Sequence, residues 1–260
     1  ISGDADVYLS VSNTSPGPET GYDLSSTSRG EDLIVINSSM IGYDAKMKTG
    51  PYYIGVHASR HNAHFSIVAY QNNKRSHVVM RDGYPQTAQA GWKQYTYFKY
   101  ESSGEKFVIS VTSIYGDPDL YVSDVAEFPS VNNYTLKKND RGNDVLEVPA
   151  TGAPTTFYIA VYSFSASSYY NLMVQSQNSS GLLAASVPLF AKLASRTTQY
   201  YRFKLTYETD FKIKVDKKSW SGDPSVFVST VHERPTSDNC EWKGESAYRA
   251  EEVIISKTDA

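Results

Sequence analysis

The sequence predicts an all-β protein, built as tandem jelly-roll-like antiparallel β-sandwich repeats. Three observations support this: a Gly-Asp turn entering a strand is written three times, the strands alternate, and turn clusters separate them. The turn begins at Gly3, Gly116 and Gly222, reading Gly-Asp-Ala-Asp-Val-Tyr-Leu-Ser, Gly-Asp-Pro-Asp-Leu-Tyr-Val-Ser and Gly-Asp-Pro-Ser-Val-Phe-Val-Ser. The starts lie 113 and 106 residues apart, a period that suits one small β-sandwich per repeat.

The segments between the turns have the composition of β-strands. Residues 107–113 and 157–164 alternate or nearly alternate and are rich in Val, Ile, Tyr and Phe, which favour strands. Clusters of turn residues at 13–18, 152–154 and 178–181 bound such runs. The most helix-like window, residues 184–194, contains Pro188, which interrupts a helix. We therefore expect strands throughout.

The rest of each repeat aligns behind its Gly-Asp turn. The matched sets are 28–36 with 140–148 and 248–256, 52–57 with 157–162, 65–70 with 170–175, 95–99 with 200–204, and 107–111 with 211–215. This alignment predicts the C-terminal part of a first repeat at residues 1–71, a complete second repeat at 72–177, and the N-terminal part of a third at 178–260; we call these modules 1, 2 and 3. Module 1 lacks the two strands before the turn, and module 3 lacks the last two. We expect these incomplete modules to be covered, either by further chain on both sides, which is the simpler account, or by a neighbouring molecule.

The aligned motifs resemble the bacterial pre-peptidase C-terminal domain, which also occurs in arrays on eukaryotic secreted proteins. The resemblance rests on the order of a Tyr-Phe strand, an apolar strand, Gly-Asp-Pro-Asp-Leu-Tyr-Val from Gly116, an acidic strand, and Phe-Tyr-Ile-Ala-Val-Tyr from Phe157. It covers nearly all of module 2 and parts of modules 1 and 3. It implies a jelly-roll-like sandwich that is usually a non-catalytic appendage, linked to binding collagen or other polymers, to secretion, or to spacing other domains.

Composition excludes several classes of function. The net charge of −3 gives no electrostatic reason to expect nucleic acid, and no apolar run is long enough for membrane insertion. Because the chain starts at Ile1 without a signal peptide, we expect a fragment or a processed form. Four Asn-x-Ser/Thr sequons, at Asn13, Asn37, Asn133 and Asn178, lie at turns or strand ends. Their placement and the resemblance favour an extracellular or cell-surface protein.

Two pairs of carboxylates are the calcium candidates. Asp4 and Asp6, and Asp117 and Asp119, stand two residues apart at a strand entrance, so each pair shares one strand face. Calcium would need more oxygen ligands from a loop. We favour the alternative, in which the first Asp accepts hydrogen bonds from turn amides and the second pairs with a base. Arg29, Arg141 and Arg249 recur at one aligned position and are the candidate bases.

Other reactive side chains do not form a catalytic motif. His57, His61 and His64 offer three imidazoles for zinc, yet module 2 replaces them, and a surface loop is the simpler interpretation. No nucleophile elbow, phosphate loop or zinc signature appears, so we predict no enzymatic activity, no catalytic residue and no cofactor. Trp92, Trp220 and Trp242 either stack on sugars or a partner, or close sandwich edges.

Cys240 is the single cysteine, and it aligns with Tyr22 and Tyr134. In a secreted chain a lone cysteine points to a disulfide with a residue outside this chain. A buried, inert thiol is the alternative.

The sequence leads to one function and one alternative. The first is a non-enzymatic extracellular repeat module that acts as a structural spacer, an adhesin or a subunit of an extracellular polymer or filament. Its partners would be other copies of the same protein, flanking repeats or an extracellular polymer. The alternative is a polymer- or substrate-binding appendage of a secreted hydrolase, a protease or a glycosidase.

The alternation within strands also predicts the core of module 2. The residues expected to be buried in it are Val108, Leu120, Val122, Val145, Ile159, Val161, Leu172 and Val174.

Overall fold

The structure is a computed structural model, and it confirms the all-β fold. It describes residues 4–29, 32–36, 51–59, 63, 65, 67, 69, 76–164, 166–183, 187–205, 209–218, 222–246 and 250–258. Within these ranges every regular secondary-structure element is a β-strand. The described residues contain no helix long and apolar enough to cross a membrane.

The chain separates into two compact units. One comprises Ile1–Val68 with Lys204–Thr206, and the other comprises Ala69–Phe203 with Tyr207–Ala260. The first unit contains a three-stranded antiparallel sheet in the order β2-β1-β3. Its strands are β1 (Ala5–Ser10), β2 (Leu24–Ser26) and β3 (Tyr53–Ala58).

Module 2 forms a sandwich of two sheets within the second unit. Its strands are β4 (Val78–Val79), β5 (Gln86–Ala90), β6 (Tyr95–Ser102), β7 (Phe107–Tyr115), β8 (Pro118–Ser123), β9 (Leu136–Lys138), β10 (Asp144–Val148), β11 (Thr155–Ser163) and β12 (Ser168–Ser176). One sheet has the order β10-β7-β12-β5, and the other has the order β4-β6-β11-β8-β9. All neighbours are antiparallel except β4 and β6, which run parallel.

The core of module 2 lies between these two sheets. Six of the eight residues predicted for it are fully buried: Leu120, Val122, Ile159, Val161, Leu172 and Val174. Val108 and Val145 are half-buried, and that part of the prediction is wrong. Their neighbours Ile109 and Leu146 face the core instead.

The register error on β7 has a physical reason. Both faces of this strand are covered, since Ser110 and Thr112 on its outer face are also buried. The segment that follows module 2 lies over this face, where the backbone N–H of Phe190 donates to Thr112 Oγ1 at 2.9 Å. The outer face keeps polar residues at Ser110 and Thr112, and only Phe107, Val108 and Ile109 are apolar in succession, so this short run by itself does not show which of its residues face the core.

A second aromatic cluster lies on the outer face of the five-stranded sheet. Tyr97 and Tyr121 are buried there, although their strand positions point away from the core. Phe128 covers them from the loop between β8 and β9, with its ring 5.3 Å from that of Tyr97. The hydroxyl of Tyr95 accepts a hydrogen bond from the Val131 N–H at 3.2 Å and ties this loop to the sheet.

Module 3 repeats the strand pairs of module 2. Its strands are β13 (Gly181–Leu182), β14 (Tyr201–Arg202), β15 (Phe211–Val215), β16 (Val226–Val228), β17 (Trp242–Gly244) and β18 (Glu251–Ile255). β15 pairs with β18 over five positions, as β7 does with β10. β16 pairs with β17 as β8 does with β9, and β13 lies parallel to β14 as β4 does to β6.

These pairings correct the sequence alignment at two places. Val215 pairs with Glu251 as Val111 pairs with Asp144, so Glu251, and not Glu252, is the counterpart of Asp144. The parallel pairs place Tyr201 opposite Gly181 as Phe98 stands opposite Val78. Residues 200–204 therefore correspond to 97–101, two positions later than the sequence suggested. In both cases a change in loop length shifted the alignment.

We expect truncation of Val161 to destabilise module 2. Val161 is fully buried between the sheets, so Val161→Ala leaves a cavity and should lower the free energy of unfolding by about 1–3 kcal/mol. The measurement is denaturant unfolding of the whole chain. Val125→Ala is the control, because Val125 is 86% exposed and its truncation should change stability by less than about 0.5 kcal/mol. Equal effects of the two substitutions would contradict the assigned core.

Candidate functional site: carboxylates at the strand entrance

The Gly-Asp turn of module 2 is held on both sides by hydrogen bonds. Gly116 has φ +84°, and a Cβ there would lie 2.6 Å from the carbonyl oxygen of Ser167, so this position requires glycine. The backbone N–H of Asp117 donates to Ser168 Oγ at 3.1 Å. Asp117 Oδ1 in turn accepts from the N–H of Gly142 at 2.7 Å. The first carboxylate therefore ties the entrance of β8 to the turn that precedes β10.

Asp144, at the start of β10, is a third carboxylate of this site. It is fully buried, and its Oδ1 accepts from the Asp140 N–H at 2.9 Å. Its Oδ2 is buried without a hydrogen-bond partner among the described residues. Burial raises the pKa of Asp144 to about 7, because the charged form loses water, while backbone hydrogen bonds from Asp140 and Leu120 oppose the shift.

Asp119 points to the same end of the sandwich and is also buried. Burial, followed by the negative charge of Asp117, raises the pKa of Asp119 to about 6, and Lys137 partly opposes this. The expected ion pair with Arg141 does not form, since no ion pair of the described residues includes either side chain. Arg141 is exposed, so the cation that influences Asp119 is Lys137 on β9.

Module 1 contains the same three carboxylates. Asp6 is buried, and burial together with the charges of Asp4 and Asp32 raises its pKa. Asp32 Oδ1 accepts from Ser26 Oγ at 2.6 Å and from the Ser28 N–H at 3.0 Å, and its Oδ2 is buried without a partner among the described residues. Asp4 Oδ2 accepts from Ser59 Oγ at 3.3 Å. Arg29 takes part in no ion pair of the described residues.

Module 3 retains only part of this arrangement. Ser225 stands where modules 1 and 2 have their second Asp, and Asp223 is exposed. Glu251 Oε1 accepts from the Ser246 N–H at 2.6 Å, which reproduces the role of Asp144 with a longer side chain. In each module the carboxylate at this aligned position thus accepts a backbone N–H of the preceding turn, Asp32 from Ser28, Asp144 from Asp140 and Glu251 from Ser246, and this bond holds the turn in place.

The described residues do not bring these acids together as a metal centre. No group of three or more His, Cys, Asp or Glu side chains within the described ranges is arranged to hold a metal ion. His57 is exposed on β3, while His61, His64 and Arg249 lie outside the described residues. The calcium and zinc candidates therefore stay predictions.

The remaining sequence candidates lie apart from the carboxylates. Cys240 is a free, half-buried thiol with Sγ 3.9 Å from the Ser237 carbonyl oxygen. Trp92 is exposed with the ammonium of Lys93 4.7 Å from its ring centre, and Trp242 is half-buried on β17. Trp220 lies outside the described residues.

The sequons differ in how accessible the asparagine amide is. Asn13 Nδ2 donates to the carbonyl oxygens of Thr20 and Gly21, each at 2.8 Å, so a glycan there would remove one of these bonds. Asn133 and Asn178 are exposed. Asn37 lies outside the described residues.

Sequence reasoning missed the third carboxylate and the aromatic cluster. Asp32 and Asp144 occupy one aligned position, three residues after the recurring arginine. Their recurrence was visible in the repeats, but only the arginines were considered as partners of the turn carboxylates. The cluster on the outer face had its signal in the alternation of Tyr95 with Tyr97 and in the spacing of Tyr158 and Tyr162.

Comparison with known proteins finds a family model that matches module 2. Residues 77–177 match the family model UPF0669, described as "Putative cytokine, C6ORF120". A UPF0669 protein of Nematostella vectensis is 38% identical over 63 residues, which are 24% of this chain and 38% of that protein. The chain thus matches little more than a third of that relative's length.

Two solved structures are similar at low TM-scores. The pre-peptidase C-terminal domain of collagenase from Bacillus anthracis is 17% identical, with a TM-score of 0.28, over 40% of this chain and 100% of that domain. PliG from Aeromonas hydrophila, a periplasmic inhibitor of g-type lysozyme, is 13% identical, with a TM-score of 0.29, over 39% of this chain and 96% of that protein. Scores this low carry no inference about function.

We expect the Asp117 and Asp119 pair to serve the turn and not a metal ion. Asp117 Oδ1 is already occupied by the Gly142 amide, and calcium needs about six to eight oxygen ligands. Calorimetric titration of the chain with Ca²⁺ should therefore show no tight binding. Tight binding that Asp119→Ala abolishes would overturn this assignment.

We also expect module 2 to lose stability as the pH rises through about 6 to 7. The pKa values of Asp119 and Asp144 lie above the ordinary value of 3.8, so the folded state holds protons that the unfolded state releases. This stabilisation is fully present below about pH 4 and is lost once both groups ionise. Asp144→Asn should reduce the fall in unfolding free energy between pH 5 and 8 by on the order of 1 kcal/mol, allowing for solvent screening.

Thermal unfolding across that pH range is the measurement. Glu127→Gln is the matched control, since Glu127 is an exposed acid of the same module. A pH profile that Asp144→Asn and Glu127→Gln change equally would show that the buried carboxyl does not set it.

Proposed function

We propose that this chain is a non-enzymatic repeat module of an extracellular protein, acting as a structural spacer or as a subunit of an extracellular polymer. The observation that carries the proposal is the recurrence of strand register. β7 with β10 and β15 with β18 pair over five equivalent positions, and β8 with β9 and β16 with β17 pair over three. A register repeated along one chain is typical of proteins in which the array itself is the working unit.

The side chains shared by the repeats support a structural role. The recurring carboxylates, Asp32, Asp144 and Glu251, accept turn amides and are not presented to solvent as reactive groups. A recurring pair of aromatic rings packs the loop between β1 and β2 against its strand in module 1, and the loop between β8 and β9 in module 2. The rings of Tyr8 and Tyr22 are 5.0 Å apart, and those of Tyr121 and Tyr134 are 5.7 Å apart at a similar tilt.

Two features support the extracellular location. Two sequons, at Asn133 and Asn178, are exposed. Residues 77–177 match a family whose description names a cytokine, which is a class of secreted protein.

A secreted signalling protein is the second candidate, favoured by that family match alone. The appendage of a secreted hydrolase has no comparable support among the matches. A receptor-binding role requires one exposed surface of module 2 to act without modules 1 and 3. A spacer or polymer subunit requires all three.

Fractionation of the native protein and its glycans tests the proposal. We expect the protein in the extracellular insoluble fraction, carrying N-linked glycans at Asn133 and Asn178. Asn133→Gln and Asn178→Gln should each lower the mass by one glycan, whereas Asn13→Gln should not, because both amide hydrogens of Asn13 are used in the loop. A cytosolic protein without glycans would contradict the proposal, and a freely soluble secreted protein would favour the signalling role.

A further inference from the structure

We propose that a cavity on the outer face of the four-stranded sheet of module 2 binds one anionic sugar residue of an extracellular polysaccharide, a uronate or a monosulfated hexose. The cavity has a volume of about 480 Å³, within the range of roughly 300–1,000 Å³ that is usual for small-molecule sites. The cavity itself does not depend on the proposed function, whereas the choice of an extracellular ligand rests on it.

Three parts of the chain line this cavity. β10 contributes Val145 from its outer face, and the turn between β9 and β10 contributes Arg141. The segment that follows module 2 contributes Phe190 and Lys192. The hydrogen bond from the Phe190 N–H to Thr112 Oγ1, at 2.9 Å, fixes this segment over the sheet and therefore fixes its two side chains beside those of β10.

Three donor groups of the lining have no acceptor in the described part of the protein. Arg141 and Lys192 are exposed, and neither belongs to an ion pair of the described residues. Asn143 Oδ1 accepts from the Ser113 N–H at 2.8 Å, so the amide group is held in place and its Nδ2 is left to donate. A guanidinium, an ammonium and an amide N–H together favour a carboxylate or a sulfate, whose oxygens accept several charge-assisted hydrogen bonds.

The acids of the lining favour a sugar over an acidic peptide. Asp140 and Glu147 line the same cavity, and each already has a lysine partner, Lys138 at 2.5 Å and Lys106 at 2.6 Å respectively. A ligand with several carboxylates would lie against these two acids and be repelled. A sugar residue carries one anionic group beside several hydroxyls, and hydroxyls donate to carboxylate oxygens.

The apolar part of the lining favours a ligand larger than an inorganic anion. Phe190 and Val145 are half-buried apolar side chains of the cavity. A pyranose ring has a face of C–H groups that packs against an aromatic ring while its hydroxyls keep their polar partners. A free sulfate or phosphate ion would leave these two side chains in water.

Titration of the whole chain with four oligomers, followed by NMR, tests the class of ligand. One tetrasaccharide alternates glucuronate with N-acetylglucosamine, and another alternates galactose with sulfated N-acetylglucosamine. We expect at least one of them to shift the amides of Asn143 and Val145 and to bind at least about 10-fold more tightly than the neutral tetramer of N-acetylglucosamine. Which of the two binds identifies the anionic group as carboxylate or sulfate.

Three outcomes of that titration would overturn the proposal. One is equal affinity for the neutral tetramer, since the cations would then play no part. Another is binding of tetraglutamate as tight as that of both acidic sugars, which would identify an acidic peptide as the ligand. The third is the absence of any shift at Asn143 and Val145 at millimolar sugar.

Substitution of the two exposed cations locates the site. Arg141→Gln and Lys192→Gln should each weaken binding of the acidic tetrasaccharide about 10-fold and leave stability unchanged, because both side chains are exposed. Lys137→Gln is the matched control, since Lys137 removes the same charge but lies on the opposite face of β9 from Lys138 and outside the cavity lining. An equal loss in all three variants would show a general effect of charge and contradict the site.

Asn143→Asp provides an independent measurement. The substitution keeps the oxygen that accepts the Ser113 N–H and replaces the donor with a negative charge, so the folded chain should lose binding of the acidic tetrasaccharide. Unchanged binding would contradict the proposal.

Location and binding separate this inference from the proposed function. An extracellular protein that binds neither acidic tetrasaccharide would contradict this inference and leave the proposed function standing. A cytosolic protein whose cavity binds them would do the reverse.

Discussion

The structure depends on the burial of the central strand of the five-stranded sheet from both sides. In module 2, β11 lies between β6 and β8, and this places Ile159 and Val161 at the middle of the core with no exposed surface. A strand with only one neighbour keeps half of its backbone hydrogen-bonding groups and part of its apolar face in water. Ile54 on β3 stands opposite Leu9 as Ile159 stands opposite Val122, and among the described residues β3 pairs only with β1. Ile54 is 41% exposed, whereas Ile159 is fully buried.

The buried carboxylates meet a second requirement of the same fold, the fixing of its turns. A sandwich made of short strands needs its turns fixed, because a shift of one residue at a strand entrance moves every following side chain to the opposite face. Asp117 fixes the β8 entrance to the turn before β10, and Asp144 fixes that turn to β10 itself. Burial of Asp144 raises its pKa to about 7, because the charged carboxylate loses contact with water in the folded chain.

The sequence predicted the fold class because the Gly-Asp turn and the alternating strands are local signals that repeat. It predicted six of eight core residues, Leu120 and Val122 among them, because alternation places them on one strand face. It was wrong at Val108, which lies in an apolar run between Phe107 and Ile109, and the polar residues Ser110 and Thr112 mark the outer face of that strand. The covering of this outer face by the segment around Phe190 has no local signal in the sequence.

The candidate site was only partly predictable for a related reason. Asp117 and Asp119 stand two residues apart in one motif and were found, whereas Asp144 reaches the same end of the sandwich only through the pairing of β10 with β7. The predicted arginine partner is wrong because Arg141, next to Gly142 in an exposed turn, points to solvent, and only the backbone amide of Gly142 reaches Asp117. In module 3 Glu251 holds the register position of Asp144, but the turn amide that it accepts lies five residues earlier and not four, and its side chain is one carbon longer.

Hydrogen exchange of the β11 and β3 amides in the whole chain tests the central claim most directly. If pairing on both sides protects β11, the amides of Ile159 and Val161 will exchange many-fold more slowly than those of Ile54 and Val56 on β3. Equal protection of the two strands would contradict the account.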